Sequence, residues 1–95
     1  MSKRQDQANS LLRDLVADFL NEHKTLGTLI TVTRCEVADN FKTATCFLTI
    51  LPQTSAKSGL AQAKTQLHNL REWLRDKISW RSLPVLDFSL DKGDK

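Results

Sequence analysis

The chain has 95 residues, of which 40% are hydrophobic and 26% are charged, and these are the proportions of an ordinary globular domain. A chain of this length builds one hydrophobic core, so we expect a single domain over residues 1–95. Its apolar runs are much shorter than the ~20 residues that cross a bilayer, and its N-terminus is polar. We therefore predict a cytoplasmic protein that does not bind a membrane.

The first predicted element is an amphipathic helix over about residues 6–23. Apolar side chains recur at three- and four-residue intervals between Ala8 and Leu20, as they do on the buried stripe of a surface helix. Gly27 follows this pattern, and a left-handed glycine in such a place commonly ends a helix.

Two strands are predicted next, over about residues 28–37 and 43–51, and they form an antiparallel hairpin. Apolar and polar residues alternate cleanly in the second strand. In the first strand the alternation slips by one residue near its middle, and a β-bulge would return its apolar residues to one face. Asp39 and Asn40 supply the turn, because both tolerate positive φ.

A hairpin centred on Asn40 and Phe41 places the two cysteines, Cys35 and Cys46, opposite each other. Two cysteines are too few for a disulfide framework, and their spacing is not that of metal ligands. We therefore interpret them as small buried hydrophobic residues in a reducing cytosol. We expect no metal and no other cofactor.

A helical region follows over about residues 55–80, either continuous or broken into two helices. Pro84 ends the helical pattern and precedes a last strand over about residues 85–90. A right-handed helical crossover makes the second and third strands parallel. The predicted fold is therefore α+β, a three-stranded mixed sheet with helices packed on one face. Residues 92–95 are expected to be a frayed tail.

Positive charge is concentrated in residues 57–81, which contain six basic and two acidic side chains although the net charge is only +3. Helical spacing places most of these cations in a row beside the apolar stripe. Such a row can follow a phosphate backbone, or it can be a solvated surface that neighbouring acids partly neutralise. The candidate RNA-binding residues are Lys57, Lys64, His68, Arg71, Arg75 and Arg81.

The same segment contains both tryptophans. Trp80 is near the predicted end of the helix, and we expect it to cover the edge of the core. Trp73 lies away from the apolar stripe, so it either stacks on a base or a partner or lies over the stems of neighbouring cations.

Catalytic motifs are absent from the sequence. His23 and His68 have no acid or nucleophile at a motif-like spacing, and neither a phosphate-binding loop nor a dinucleotide-binding signature is present. We therefore predict that the protein is not an enzyme.

The chain resembles the bacterial ribosome-binding factor A family over nearly its whole length. The segments that carry the resemblance are LGTLITVTRCEV, FKTATCFLTIL and LREWLRDKISWRSLPVLDFSLD, whose order and spacing are more specific than any single match. The resemblance implies a type II KH-like domain with the topology α-β-β-α-α-β, which agrees with the order of elements predicted from periodicity.

The resemblance also implies a function. Members of this family bind the free 30S subunit, contact 16S rRNA and assist late small-subunit maturation, including 5′-end processing, without catalytic activity of their own. We therefore expect a monomer whose partners are the 30S subunit and 16S rRNA, and not DNA or a membrane. The alternative is a protein-interaction module that uses Trp73 or the sheet face around Thr45, Phe47 and Thr49.

The sequence departs from the family pattern where the paired helices are interrupted. The family has alanine-x-glycine there, whereas this chain has Gln66, Leu67 and His68. Gln and His resist backbone conformations that glycine adopts, so the break could be weaker, shifted toward Ser58 and Gly59, or absent.

Overall fold

The computed structural model describes residues 3–22 and 28–91, and its elements follow the predicted order. In chain order they are α1 (Lys3–Glu22), β1 (Leu29–Val37), β2 (Thr43–Leu51), a 3-10 turn (Gln53–Ser55), α2 (Ala56–Lys64), α3 (Leu67–Lys77) and β3 (Val85–Leu90). The α+β class and the α-β-β-α-α-β topology are confirmed. Within the described ranges, no helix is both long and apolar enough to cross a membrane.

The sheet has the order β1-β2-β3, with β2 in the centre. β1 and β2 are antiparallel and β2 and β3 are parallel, as the helical crossover requires. The three helices cover one face of the sheet, and the strand residues on that face are apolar. The buried ones are Val32, Cys35, Val37, Ala44, Cys46, Leu48, Ile50, Leu86 and Phe88. The predicted mixed sheet with helices on one face is therefore confirmed.

β1 contains the bulge that the slipped alternation predicted. Its pairing with β2 shifts between Val32 and Arg34, so Thr33 is the extra residue. The bulge returns Cys35 and Val37 to the covered face, where both are buried.

The two cysteines face each other across the hairpin, as predicted. The sulfur atoms of Cys35 and Cys46 are 2.9 Å apart, and both thiols are unoxidised and buried. The hydrogen bond that they share, together with burial, raises the pKa of the Cys46 thiol, so the group stays protonated and neutral.

The hairpin turn differs from the prediction in the residue that takes positive φ. That residue is Phe41, at 60°, and not Asp39 or Asn40. The Phe41 amide donates to the Ala38 carbonyl at 2.9 Å, and Asn40 Oδ1 accepts from the Lys42 amide at 2.9 Å. Asn40 therefore contributes a hydrogen bond to the turn, and the left-handed conformation falls on the next residue.

α1 begins three residues earlier than predicted, because polar side chains hold its first turns against the edge of β1. Gln5 Nε2 donates to the Val37 carbonyl at 3.1 Å, and Asn9 Oδ1 accepts from the Val37 amide at 2.8 Å. Apolar periodicity does not detect such contacts. The predicted helix end at His23 and the glycine expected to end the helix, Gly27, lie outside the described residues.

The helical region is broken into two helices at Thr65 and Gln66. Both residues keep right-handed backbone angles, with φ and ψ of −66° and −17° at Thr65 and of −92° and −1° at Gln66. The Gln66 amide donates to the Ala63 carbonyl at 3.0 Å, which is the tight spacing of a 3-10 turn. The break therefore requires no glycine, and this explains how Gln66 and His68 are compatible with it.

Gly59 is inside α2, so the break is not shifted toward it. Its role is close packing, because a Cβ atom there would be 3.0 Å from Cγ2 and 3.2 Å from Cδ1 of Ile50. Glycine allows α2 to approach β2 more closely than a residue with a side chain would.

The prediction that the helical region extends to residue 80 is wrong, because α3 ends at Lys77. Ile78 is extended, with φ −121° and ψ 133°, and is only 7% exposed. Tertiary packing ends the helix here, since the chain must reach the start of β3, where the Val85 amide donates to the Lys42 carbonyl at 2.9 Å. Trp80 is therefore in the connecting segment and not on a helix.

Candidate nucleic-acid interface

Five of the six candidate cations are on the paired helices α2 and α3. We call this set the basic face: Lys57, Lys64, His68, Arg71 and Arg75. Residues three, four and seven positions apart share one side of a helix, so the three members on α3 lie together. A neighbouring side of α3 carries Leu70 and Leu74, which are 0% exposed and anchor the helix in the core.

Arg71 is the most firmly positioned member of the basic face. It is half-buried, and its Nη1 donates to the Pro84 carbonyl at 3.1 Å, in the segment that leads into β3. A guanidinium has five N–H donors, so this contact orients the group and leaves other donors for a ligand.

Lys64 and Arg75 are exposed and form weak ion pairs. Lys64 Nζ is 3.8 Å from Asp87 Oδ1, and Arg75 Nη1 is 3.6 Å from Glu72 Oε2. The two cationic side chains are 46% and 58% exposed, so solvent screens both pairs, and such pairs contribute about 0–1 kcal/mol. A phosphate can therefore displace either carboxylate at little cost.

Lys57 and His68 are also exposed. Among residues 3–22 and 28–91, neither side chain is in an ion pair with a carboxylate. Lys57 is in the first turn of α2, two turns before Lys64 and on the same side of that helix. The basic face thus extends along both helices.

Arg81 belongs to a different part of the molecule. It follows the end of α3 and lines a groove with Trp80, with Phe41 of the hairpin turn and with Arg4 and Leu11 of α1. We call this the end groove, and its volume is about 510 Å³. Arg4 and Phe41 are not among the site residues predicted from the sequence. No local pattern points to them, since folding alone brings these three segments together.

Both tryptophans are half-buried. Trp73 packs against Phe19 of α1, with ring centroids 5.5 Å apart and ring planes at 55°, and Lys77 Nζ is 5.2 Å from its ring centroid. It therefore joins α3 to α1 and also contacts a neighbouring cation. Trp80 packs against the margin of the core, as predicted, and one side of it lines the end groove.

The open face of the sheet, which was the alternative interaction surface, carries a compact set of contacts of its own. The Arg34 guanidinium is 4.0 Å from the Phe47 ring centroid and pairs with Glu36 at 2.9 Å and Asp91 at 3.2 Å. The hydrogen bond to Glu36 is the main cause of a raised pKa at Arg34. Thr33 Oγ1 donates to Asp91 at 2.6 Å. Arg34 is thus paired with two carboxylates and lies over the Phe47 ring, so this surface does not favour the alternative function.

Metal-ligating side chains are dispersed in the part of the chain that the structure describes, where no three His, Cys, Asp or Glu residues are grouped as a metal ion would require. His68 is exposed on α3, and His23 is outside the described residues. The buried thiols of Cys35 and Cys46 are hydrogen-bonded to each other.

The fold and the basic face together define a class, a small KH-like α+β domain that presents cations on its paired helices. A family model for ribosome-binding factor A matches residues 4–95. The chain therefore belongs to the ribosome-binding factor A family.

Solved structures agree with this assignment at the level of the fold. The crystal structure of ribosome-binding factor A from Thermus thermophilus is 15% identical, with a TM-score of 0.81, over 90% of this chain and 94% of that one. The solution NMR structure of the Thermotoga maritima protein TM0855, a putative ribosome binding factor A, is 17% identical, with a TM-score of 0.82, over 100% of this chain and 93% of that one.

A third similar structure comes from a complex. It is the Thermus thermophilus ribosome binding factor A homology model fitted into a cryo-EM map of a 30S–RbfA complex, 17% identical with a TM-score of 0.72. The match covers 85% of this chain and 88% of that one. A search of curated proteins finds no match.

Proposed function

We propose that this protein binds the free 30S ribosomal subunit through 16S rRNA and assists a late step of its maturation, including 5′-end processing. Membership of the ribosome-binding factor A family supports this proposal, as does the likeness to a relative fitted into a map of a 30S complex. The protein acts by binding, with no catalytic activity of its own, as a cytoplasmic monomer.

The basic face is the observation that carries the RNA-binding part of the proposal. Its cations are on helices that buried residues anchor in the core, Gly59 and Ala63 on α2 and Leu70 and Leu74 on α3. Its ion pairs are weak enough to exchange for phosphate. Contacts of this kind orient a protein on folded RNA without reading its sequence, which suits recognition by shape. Lys64, Arg71 and Arg75 are the proposed phosphate contacts, with Lys57 and His68 beside them.

The proposal is tested by co-sedimentation with purified 30S subunits over a range of salt concentrations. Lys64→Glu/Arg75→Glu changes two exposed residues, so the fold should persist. Each lost phosphate contact lowers the salt dependence of binding, and we expect the negative slope of log K against log salt to decrease in magnitude by about 2 in the double variant. Affinity at low salt should fall as well.

A matched control is available on α1. Arg13 is 46% exposed and pairs with Asp14 at 3.2 Å, so Arg13→Glu repeats on another helix the change made by Arg75→Glu. We expect Arg13→Glu to bind as the wild type does. Unchanged affinity and salt slope in a folded Lys64→Glu/Arg75→Glu protein would contradict the assignment of the basic face.

The maturation role requires a cellular measurement. In sucrose gradients of a lysate, the protein should travel with free 30S subunits and not with translating ribosomes. Cells depleted of it should accumulate 16S rRNA with an unprocessed 5′ end. Equal association with polysomes would count against a role in maturation.

A further inference from the structure

The end groove is formed where three segments distant in sequence meet. Arg4 and Leu11 come from α1, Phe41 from the hairpin turn, and Trp80 and Arg81 from the segment after α3. Its volume of about 510 Å³ is within the range of about 300–1,000 Å³ that is usual for small-ligand sites. It is separate from the basic face, which is on α2 and α3.

The chemistry of the end groove combines cations with aromatic rings. Among the described residues that line it are two guanidinium groups and two aromatic side chains, and none of these residues has a carboxylate. Asp39, in the adjacent turn, accepts a hydrogen bond from Gln5 Nε2 at 3.0 Å, so it is held by α1. Asp6 is two positions from Arg4, which places it on the other side of α1. The groove therefore attracts an anion that also has a flat apolar surface.

Phe41 is held in this groove despite its backbone conformation. Its φ of 60° is one that a bulky residue rarely adopts, and Gly or Asn would fill the position more easily. The ring is 5.2 Å from the Arg4 guanidinium carbon, which places a cation and an aromatic face side by side. Unusual backbone of this kind in a ligand-sized groove supports a binding role.

We propose that the end groove binds one unpaired RNA nucleotide, with the base against Trp80 or Phe41 and its phosphate between Arg4 and Arg81. Single-strand binding proteins pair aromatic stacking platforms with cations that track the backbone, and this groove contains both. A duplex keeps its bases stacked inside, so the occupant must be a looped-out or single-stranded nucleotide. The proposal deepens the proposed function and rests on it, because ribosomal RNA is the source of that nucleotide.

The test is an NMR titration of the full chain, uniformly labelled with ¹⁵N, with the single-stranded RNA hexamer r(A)₆. We expect the Trp80 indole N–H and the Phe41 amide to shift, while the Trp73 indole N–H, assigned with Trp73→Phe, does not. Arg4→Glu and Arg81→Glu should each weaken binding at least about fivefold. Arg13→Glu, the matched control on the same helix, should leave it unchanged.

An aromatic variant completes the test. Trp80 and Phe41 both pack against the core. Phe41 has a positive φ that Asn adopts more easily than Phe does, so the backbone favours Asn at residue 41 and offsets part of the lost packing. Phe41→Asn should therefore fold and should bind r(A)₆ at least about fivefold more weakly.

Three results would overturn the proposal: no shift at Trp80 with r(A)₆, equal binding by Arg4→Glu and Arg13→Glu, or displacement of r(A)₆ by hexaglutamate at the same concentration. The last would indicate an acidic peptide. These outcomes are independent of the basic face.

The two proposals can therefore fail separately. If r(A)₆ fails to bind but Lys64→Glu/Arg75→Glu no longer binds 30S subunits, only the end-groove proposal is refuted. If r(A)₆ binds and that variant keeps 30S subunits, only the basic face is refuted.

Discussion

The two sides of the paired helices α2 and α3 differ in what they contribute. The inner side packs Gly59, Ala63, Leu70 and Leu74 against the sheet and α1, and all four are buried. The outer side carries the basic face, whose ion pairs are exposed and weak. Stability is thus concentrated on one side and proposed recognition on the other, so each can be changed with little effect on the other.

The largest expected effect is on the inner side. Leu74→Ala removes a side chain that is 0% exposed and leaves a cavity, so the free energy of unfolding should fall by about 2–5 kcal/mol. Urea denaturation measures the change. Leu11→Ala is the control. Because Leu11 is 41% exposed, this variant should lower the free energy of unfolding far less. Equal losses from the two variants would mean that α3 is not anchored as described.

A smaller effect is expected where α2 approaches β2. Gly59→Val places methyl groups against Ile50, whose Cγ2 is already 3.0 Å from the position of a Cβ atom. Overpacking should lower the free energy of unfolding by about 1–3 kcal/mol. Gln62→Val puts the same residue at an exposed position of α2 and should have little effect.

A double variant sharpens this prediction. Ile50→Ala removes the atoms that crowd residue 59, so the cost of Gly59→Val should be smaller in that background. Additive costs would show that steric contact with Ile50 is not the reason for the glycine.

The smallest effects are expected on the outer side, and they differ between two arginines. Arg71→Ala loses a charged hydrogen bond to the Pro84 carbonyl, and because Arg71 is only half-buried the cost should be about 0.5–1.5 kcal/mol. Arg75→Ala loses an exposed pair with Glu72 and should change stability by less than about 0.5 kcal/mol. Urea denaturation of the two variants measures both losses in the free energy of unfolding. Equal losses would contradict the prediction that the Arg71 contact with Pro84 contributes more to stability than the Arg75 pair does.

Much of the fold was predictable because it depends on local spacing. Strict alternation identified β2 and β3 with the bounds that the structure shows, and a slip in alternation identified the bulge at Thr33. The equal distance of Cys35 and Cys46 from the turn predicted that they are opposite each other. In each case the pattern lies within a few residues, and so does the structure that it specifies.

The candidate site was predictable only in part. Helical spacing grouped the cations of α2 and α3, but it also included Arg81, which follows the end of the helix and lines the end groove. Arg81 was grouped with the helical cations because the predicted helix is longer than α3. Periodicity continues through Ile78, whereas burial of that side chain and the path to β3 end the helix at Lys77.

By itself, the sequence determined the order of elements, the two faces of the strands and the row of cations, since these follow from residue spacing of two or about 3.6. Only the tertiary structure decided the start of α1, the end of α3, the left-handed conformation of Phe41 and the end groove. These depend on contacts between segments far apart in the chain, such as Gln5 with Val37 and Arg4 with Phe41. Residue spacing within one segment does not predict such contacts, because they form only when the whole domain folds and packs.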